Sequence, residues 1–281
     1  METHFNIDGW RVPRLMYGTA WKEERTRPLT ELAVRLGFRA IDTANQRKHY
    51  FEAGVGEALQ ACLADGVVRR EDLFLQTKFT FRGGQDHRLP YDPQAPISRQ
   101  VEQSCASSLE HLGVSLIDSY VLHGPSQWEG LGPADWEAWR AMEGLASRGV
   151  VRFLGVSNVS LGQLQELVAG ARVSPRFVQN RCFAVQGWDR EVRRFAQAHG
   201  MIYQGFSLLT ANRPVLTHPL IHQLARKHGR TIPQIIFRFA LEVGMMPLTG
   251  TTDERHMRDD LAIFDFTLDA NEVRAIESLA G

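Results

Sequence analysis

The chain has 281 residues, 43% of them hydrophobic, and its 32 lysines and arginines balance its 32 aspartates and glutamates. This length fits one α/β barrel or two smaller domains, and a formal net charge of zero argues against nucleic acid or an anionic membrane as a partner. The three cysteines, Cys62, Cys105 and Cys182, lack the spacing of a zinc site or a disulfide framework, so we expect no metal and a reducing, cytoplasmic environment.

The N-terminal segment METHFNIDGWRVPRL contains no apolar run of the signal-peptide type. Nowhere does the sequence contain 18 consecutive apolar residues, the length that a membrane-spanning helix requires. We therefore expect a cytoplasmic protein that is not exported, and a monomer or a weak homo-oligomer.

Short apolar runs alternate with longer amphipathic runs along the whole sequence. A hairpin with Asp8-Gly9 as its turn opens the chain. The strands predicted after it are Arg14–Thr19, Arg39–Thr43, Leu73–Phe79, Ile117–His123, Val151–Ser157, Arg176–Arg181, Met201–Phe206 and Met245–Thr249. The helices predicted with them are Arg27–Leu36, Tyr50–Ala64, Ser98–Leu112, Ala134–Ser147, Leu161–Ala171, Arg190–His199, Pro219–His228, Pro233–Glu242 and Asp269–Leu279.

Strands that alternate with helices, without a linker between two halves, indicate a parallel sheet. An open doubly wound sheet also fits this order, but no GxGxxG motif follows an early strand. Eight strand–helix units favour a closed barrel. We predict an α/β fold, a (β/α)8 TIM barrel with a short N-terminal β-hairpin and extra helices, as a single domain over residues 1–281.

Polar residues stand at the ends of successive predicted strands. Asp42 ends the second strand, Lys78 the third and His123 the fourth, while Tyr50 follows the loop after Asp42. Each of them alone has an ordinary explanation as a turn residue, a solvated charge or a packed ring. Because the C-terminal ends of barrel strands meet at one rim, their joint occurrence favours a site there.

These residue types suit the protonation of a carbonyl oxygen. A buried lysine next to Tyr50 is expected to lower the pKa of the phenol, and Asp42 to keep Lys78 charged. His123 can donate a hydrogen bond that orients the carbonyl. The set predicts carbonyl reduction, with Tyr50 as the acid.

These residues and the motifs around them resemble the aldo-keto reductase family, (β/α)8 barrels that use a nicotinamide cofactor. The motifs YGTAW, IDTA followed by a tyrosine and VGEAL, TK, LH and GVSN stand in the order of that family over nearly the whole chain. The resemblance implies an NAD(P)H-dependent reductase of aldehydes and ketones, with Asp42, Tyr50, Lys78 and His123 as its catalytic residues.

One departure from the family pattern concerns the tyrosine. In the family it follows DTA after two residues, whereas five residues separate Ala44 from Tyr50 here. Gln46 and Arg47, which stand at the usual spacing, cannot act as that acid. Tyr50 is the predicted acid, and the alternatives are Tyr17 and Tyr91.

The resemblance also implies a set of cofactor-binding residues. Ser157, Asn158 and Gln179 match positions that hold the nicotinamide carboxamide. Phe206 replaces a tyrosine that stacks on the nicotinamide ring, and Ser207 follows it as a phosphate contact. The other expected cofactor-binding residues are Gly18, Thr19, Leu208, Gly250, Thr251, Thr252 and Arg255.

A second departure lies after the eighth strand, where the family's Lys-Ser pair for the 2′-phosphate of NADPH is missing. Thr251, Thr252 and Arg255 can bind a phosphate in its place. Alternatively, Arg255 and Arg258 are solvated helix charges. We expect NADPH as the cofactor, with NADH possible.

The expected partner is a small-molecule carbonyl substrate. The long loop Phe81–Pro96 and the end of the chain at Gly281 predict an open pocket at Trp21, Phe81 and Trp128 for aldehydes, ketones or ketoacids. The same aromatics fit packing at the rim. Two other functions remain open, a catalytically weak nicotinamide-binding sensor or regulatory subunit, and a lyase or isomerase in which Lys78 forms a Schiff base.

Overall fold

The computed structural model describes residues 2–279, so the predicted chain end at Gly281 lies outside the described residues. The chain separates into two compact units. The central unit is Tyr17–Val178, and the terminal unit combines the residues up to Met16 with those from Gln179 onwards. That residues 1–281 form a single domain stays a prediction.

The strands form a two-stranded hairpin and a closed barrel of eight parallel strands, which confirms the predicted fold class. The hairpin strands are β1 (His4–Ile7) and β2 (Trp10–Pro13). The barrel strands are β3 (Met16–Gly18), β4 (Ala40–Asp42), β5 (Phe74–Phe79), β6 (Ile117–Leu122), β7 (Val151–Ser157), β8 (Phe177–Arg181), β9 (Ile202–Phe206) and β10 (Met246–Thr249).

Helices follow the strands in the order expected for βα units. They are α1 (Thr26–Leu36), α2 (Glu52–Ala64), α3 (Ile97–Leu112), α4 (Pro133–Ser147), α5 (Leu161–Gly170), α6 (Arg190–Ala198), α7 (Arg213–Leu216), α8 (Pro219–His228), α9 (Ile232–Glu242), α10 (Glu254–Leu261) and α11 (Ala270–Ser278).

Local signals explain where several elements begin and turn. The hairpin pairs Ile7 with Trp10 across Asp8-Gly9, whose φ angles of 50° and 84° are those that a two-residue hairpin turn needs. The Ser160 side chain accepts a hydrogen bond from the Gln163 amide, so α5 begins with a capping box. The same arrangement at Thr231 begins α9.

Three helices differ from the sequence prediction by more than one residue. Helix α2 begins at Glu52, so Tyr50 belongs to the preceding turn, where its amide donates to Gln46 O at 3.0 Å. Helices α7 and α10 were not predicted. The sequence of α10, ERHMRDDL, carries too few apolar residues to show a helical period, but the Asp253 side chain accepts from the His256 amide at its start.

In the part of the chain that the structure describes, no helix combines the length and apolar character needed to cross a membrane. The cytoplasmic location stays a prediction.

Candidate active site

Asp42 and Lys78 form a buried ion pair between two adjacent barrel strands. The register pairs Asp42 with Gln76, so Lys78 lies two residues further on and faces the same side of the sheet. Lys78 Nζ donates to the two carboxylate oxygens of Asp42 at 2.6 and 2.7 Å and to Thr43 O at 2.8 Å. Lys78 is completely buried, so these three acceptors replace the water that its ammonium loses.

Gln76 belongs to the same network, although the sequence analysis did not single it out. Its Nε2 donates to Asp42 Oδ1 at 2.8 Å. The strand alternation that places Gln76 on the face of Lys78 was the available signal. The carboxylate of Asp42 is therefore held from two sides.

Burial and the ion pair with Asp42 shift the pKa of Lys78 in opposite directions. Burial lowers the pKa of the ammonium, and the charge of Asp42, with its hydrogen bonds, opposes that shift. The Asp42 carboxylate thus favours the charged form of a completely buried lysine, and its role in the reaction stays a prediction.

Tyr50 lies next to this pair. Its ring centre is 5.2 Å from Lys78 Nζ and 6.0 Å from the ring centre of His123. The two alternative acids, Tyr91 and Tyr17, have other surroundings. Tyr91 donates its hydroxyl to Thr80 O at 2.8 Å, and Tyr17 is completely buried.

The pKa of the Tyr50 phenol shifts in the opposite direction to the one expected from the sequence. The pKa of Tyr50 is raised, first because burial penalises the phenolate and second because the carboxylate of Asp42 is close. The Lys78 ammonium nearby is paired with Asp42, and the net shift of the Tyr50 pKa is upward. Tyr50 therefore keeps its proton.

His123 follows β6 and is half-buried. Burial, with smaller effects from the charges of Lys78 and His49, lowers its pKa to about 3, so the imidazole is neutral at physiological pH. Its Nδ1 lies 2.7 Å from Thr80 Oγ1, a contact that the sequence analysis missed. Thr80 stands two residues after Lys78, at the strand end already singled out.

Four expected cofactor-binding residues belong to the same central unit. The Thr19 amide and hydroxyl both donate to Asp42 O, at 3.0 and 2.9 Å, and Gly18 pairs with Asp42 between β3 and β4. Asn158 has a left-handed backbone with a φ of 55°, and its Nδ2 donates to Ser157 Oγ. Asn158 Nδ2 also donates to the backbone carbonyl of His123. Thr19 and Asn158 are therefore connected to the strand ends that carry Asp42 and His123.

The remaining expected cofactor-binding residues belong to the terminal unit. Gln179 is buried and donates to Gln204 Oε1 at 3.0 Å. Phe206 ends β9 with a half-buried ring, and Ser207 after it has a φ of 57°. The others are the buried Leu208, the exposed Gly250, Thr252 and Arg255, and the half-buried Thr251.

Arg255 lines two cavities of the terminal unit. One measures about 460 Å³ and is also lined by Arg226 and Arg230. The other measures about 170 Å³ and is also lined by Thr231 and His256. Arg226 and Arg230 were missed from the sequence, where the basic run ARKHGR was the only signal.

The predicted substrate-binding aromatics have different surroundings. Phe81 packs edge-on against Phe79, with ring centres 5.2 Å apart. The Trp21 ring packs at a tilt of 38° against the His49 ring, with ring centres 3.9 Å apart, and Trp21 is 72% exposed. Trp128 is 97% exposed. The aromatic-lined pocket stays a prediction.

The loop after β5 packs against the loop that carries Tyr50. Gln46 Nε2 donates to Gly84 O at 2.6 Å, and Gln85 Nε2 donates to Asn45 O at 2.8 Å. The 81–96 loop therefore lies on the rim and is not folded away from it.

Comparison with known proteins gives a consistent result. The model of the aldo/keto reductase family matches residues 10–280. An uncharacterized oxidoreductase of Bacillus subtilis, YtbE, is 29% identical over 88% of this chain and 81% of its own. Prostaglandin-E(2) 9-reductase of Oryctolagus cuniculus is 30% identical over 97% of this chain and 89% of its own. A crystal structure of an aldo-keto reductase complexed with NADPH superposes with a TM-score of 0.83 at 25% identity, over 98% of this chain and 86% of that one. The chain therefore belongs to the aldo/keto reductase family and is an NAD(P)H-dependent reductase.

Proposed function

We propose that this protein reduces aldehydes or ketones to alcohols with Tyr50 as the proton donor. The observation that carries the proposal is the proximity of the Tyr50 ring to Lys78 Nζ and to the His123 ring at one rim of the central unit. The nicotinamide cofactor, when bound, supplies the hydride that reaches the carbonyl carbon. The side chains described below act on the carbonyl oxygen.

Tyr50 is suited to give a proton because its raised pKa keeps the hydroxyl protonated. As negative charge develops on the substrate oxygen, the phenol donates its proton there. The phenolate that remains faces the Lys78 ammonium, 5.2 Å from its ring centre. The role of Lys78 is thus to stabilise the phenolate once it forms, and Asp42 keeps Lys78 charged for that purpose.

His123 orients the carbonyl as a neutral imidazole. Thr80 occupies its Nδ1 side, which leaves Nε2 for the substrate. With the Thr80 hydroxyl donating to Nδ1, Nε2 carries the proton and donates a hydrogen bond to the carbonyl oxygen. A charged imidazole is not needed, in agreement with the pKa of about 3.

The chemistry of the terminal unit supports NADPH as the preferred cofactor, with NADH also used. Three guanidinium groups, those of Arg226, Arg230 and Arg255, line the cavity of about 460 Å³. In the described part of the chain none of the three forms an ion pair with a carboxylate, so all are available to a phosphate. These groups compensate for the missing Lys-Ser pair. The NADPH complex of the similar structure agrees with this choice.

Two assays test the proposal. Turnover of a generic aldehyde with NADPH separates an enzyme from a sensor or regulatory subunit, which no observation favours. Borohydride trapping without nicotinamide tests the Schiff-base alternative. We expect no trapped imine, because Lys78 Nζ already makes three hydrogen bonds and is completely buried.

We further propose that residues 1–281 act as one cytoplasmic domain, a monomer or a weak homo-oligomer. The proposed partner is a small carbonyl compound held beside Trp21, Phe81 and Trp128. The balance of 32 basic and 32 acidic residues supports a partner other than nucleic acid or membrane.

A further inference from the structure

A third cavity lies behind Tyr50, between the loop before α2, the 81–96 loop and α3. It measures about 310 Å³, roughly the volume of ten water molecules in the liquid. Lys78 and His123 lie outside its lining. We refer to it as the rear pocket, and it is lined by Ala44, Asn45, Gln46, Arg47, Tyr50, Phe51, Glu52, Ala53, Arg88, Leu89, Pro90, Ser107 and His111.

The five residues that separate Ala44 from Tyr50 supply part of this lining, and the reduction mechanism makes no use of them. Asn45, Gln46 and Arg47 face the rear pocket, and they belong to the segment in which the sequence departs from the family spacing. The segment is held in place, because Asn45 Nδ2 donates to Ser104 O at 3.0 Å. The rear pocket is therefore a formed feature of this chain.

Arg47 gives the rear pocket an unbalanced positive charge. Its guanidinium lies 4.3 Å from the ring centre of Phe51, and its Nη1 is 3.5 Å from Tyr50 O. Among the residues that the structure describes, no carboxylate pairs with it. A half-buried guanidinium with free donors favours an anion.

Arg88 adds a second guanidinium beside Arg47. Its Nη2 donates to Arg47 O at 3.1 Å, and its charge is shared with Asp86. Because Asp86 offsets this charge, Arg88 contributes fixed donors more than net charge. Arg47 is thus the principal anion contact.

Glu52 also lines the rear pocket, but its carboxylate is already satisfied. Thr77 Oγ1 donates to it at 2.5 Å, and His111 Nδ1 lies 3.1 Å from its other oxygen. This hydrogen bond raises the pKa of His111, which favours the imidazolium and offsets the negative charge. The Glu52 carboxylate is therefore already engaged by Thr77 and His111.

The rest of the lining is apolar. Phe51, Leu89 and Pro90 are half-buried and supply carbon surface in the same lining as the guanidinium groups. Inorganic anions gain nothing from such a surface, whereas an organic acid buries its hydrocarbon part there. We propose that the rear pocket binds a small organic carboxylate, with its charged end on Arg47 and its apolar body against Phe51, Leu89 and Pro90.

Calorimetric titration with benzoate tests this site, because benzoate combines one carboxylate with one apolar ring. Wild type is compared with Arg47→Gln and with Lys48→Gln, which makes the same charge change at an exposed neighbour outside the lining. We expect saturable binding that weakens about tenfold in Arg47→Gln, the loss of one charge-assisted contact. Lys48→Gln keeps the wild-type affinity.

Two further titrations establish the ligand class and the location. Benzamide, without the charge, and inorganic phosphate, without the ring, are both expected to bind at least about tenfold more weakly than benzoate. In His123→Leu, which alters the reduction site but not the rear pocket, benzoate affinity is expected to stay unchanged. These measurements need no turnover, so their outcome is independent of the proposed reduction.

Four results would overturn the inference. The first is the absence of saturable benzoate binding to wild type, and the second is an equal loss of benzoate affinity in Arg47→Gln and Lys48→Gln. The third is equal affinity for phosphate and benzoate. The fourth is a loss of benzoate binding in His123→Leu alone. The last result would place the carboxylate at the reduction site.

Discussion

Lys78 Nζ contacts both carboxylate oxygens of Asp42, at 2.6 and 2.7 Å, where neither side chain is more than 4% exposed. Such a pair is sensitive to the loss of one partner, because the other charge is then buried without compensation. The geometry of this pair therefore makes the two residues depend on each other for stability.

The first prediction concerns this pair. Lys78→Met and Asp42→Asn should each abolish or strongly reduce carbonyl reduction, and each should cost about 3–5 kcal/mol in the free energy of unfolding. The double variant should lose less than the sum of the two. Denaturant unfolding of the four proteins measures the coupling. Additive losses would show that the ion pair is not the unit that we describe.

The second prediction concerns the acid. Tyr50→Phe should reduce kcat/KM for an aldehyde by about 10² to 10⁴, with NADPH affinity nearly unchanged, because only the proton donor is removed. Tyr91→Phe is the matched control, since that hydroxyl donates to Thr80 O. Near wild-type turnover in Tyr50→Phe would move the role to Tyr17 or Tyr91.

The third prediction concerns Thr80, whose Oγ1 lies 2.7 Å from His123 Nδ1. Thr80→Val removes the group that orients the imidazole and should lower kcat/KM about tenfold, as expected for a residue that fixes a histidine tautomer. Thr80→Ser keeps the hydroxyl and should restore most of the activity. If the serine variant is no more active than the valine variant, the hydroxyl contact with His123 does not explain the effect.

The fourth prediction concerns the pH dependence of stability. Burial raises the pKa of Asp260 to about 7 from an ordinary 3.8, while Thr249 Oγ1 donates to the carboxyl at 2.6 Å. Between these pH values the folded state binds more protons than the unfolded state, so stability falls as the pH rises.

Asp260→Asn should remove this part of the pH dependence and be more stable than wild type at pH 8. Each unit of pKa shift corresponds to about 1.4 kcal/mol. The amide keeps an oxygen that can accept from Thr249, and Asp265→Asn, at an exposed position, is the control. Unfolding curves at pH 5 and pH 8 check the sign. The prediction is wrong if the free energy of unfolding changes between pH 5 and pH 8 by the same amount in Asp260→Asn as in wild type.

The fifth prediction concerns the phosphate of the cofactor. Wild type should bind NADPH about ten- to a hundredfold more tightly than NADH, the range for one charge-assisted contact, and Arg255→Ala should largely close that gap. Arg258→Ala is the matched control, because Arg258 pairs with Glu254 four residues earlier on the same helix. Dissociation constants of NADPH and NADH for wild type and the two variants measure this difference in affinity. Equal affinities in wild type would identify Arg255 as a solvated charge.

The order of the elements and the positions of three key residues could be predicted from the sequence. The alternation of apolar runs located the eight barrel strands to within about two residues, because side-chain periodicity is a local property of a strand or a helix. It also identified Asp42, Lys78 and His123 at successive strand ends. A parallel barrel brings those ends to one rim whatever the intervening loops contain.

The contacts and pKa shifts of those residues depend on the tertiary structure. Gln76 and Thr80 became part of the site through hydrogen bonds to Asp42 and His123, which lie far from them in the sequence. The pKa of Tyr50 rises, contrary to the expectation from the sequence, because the ring loses water on burial and the Asp42 carboxylate is close. Desolvation and Coulomb energies are set by distances in space, which local periodicity does not contain.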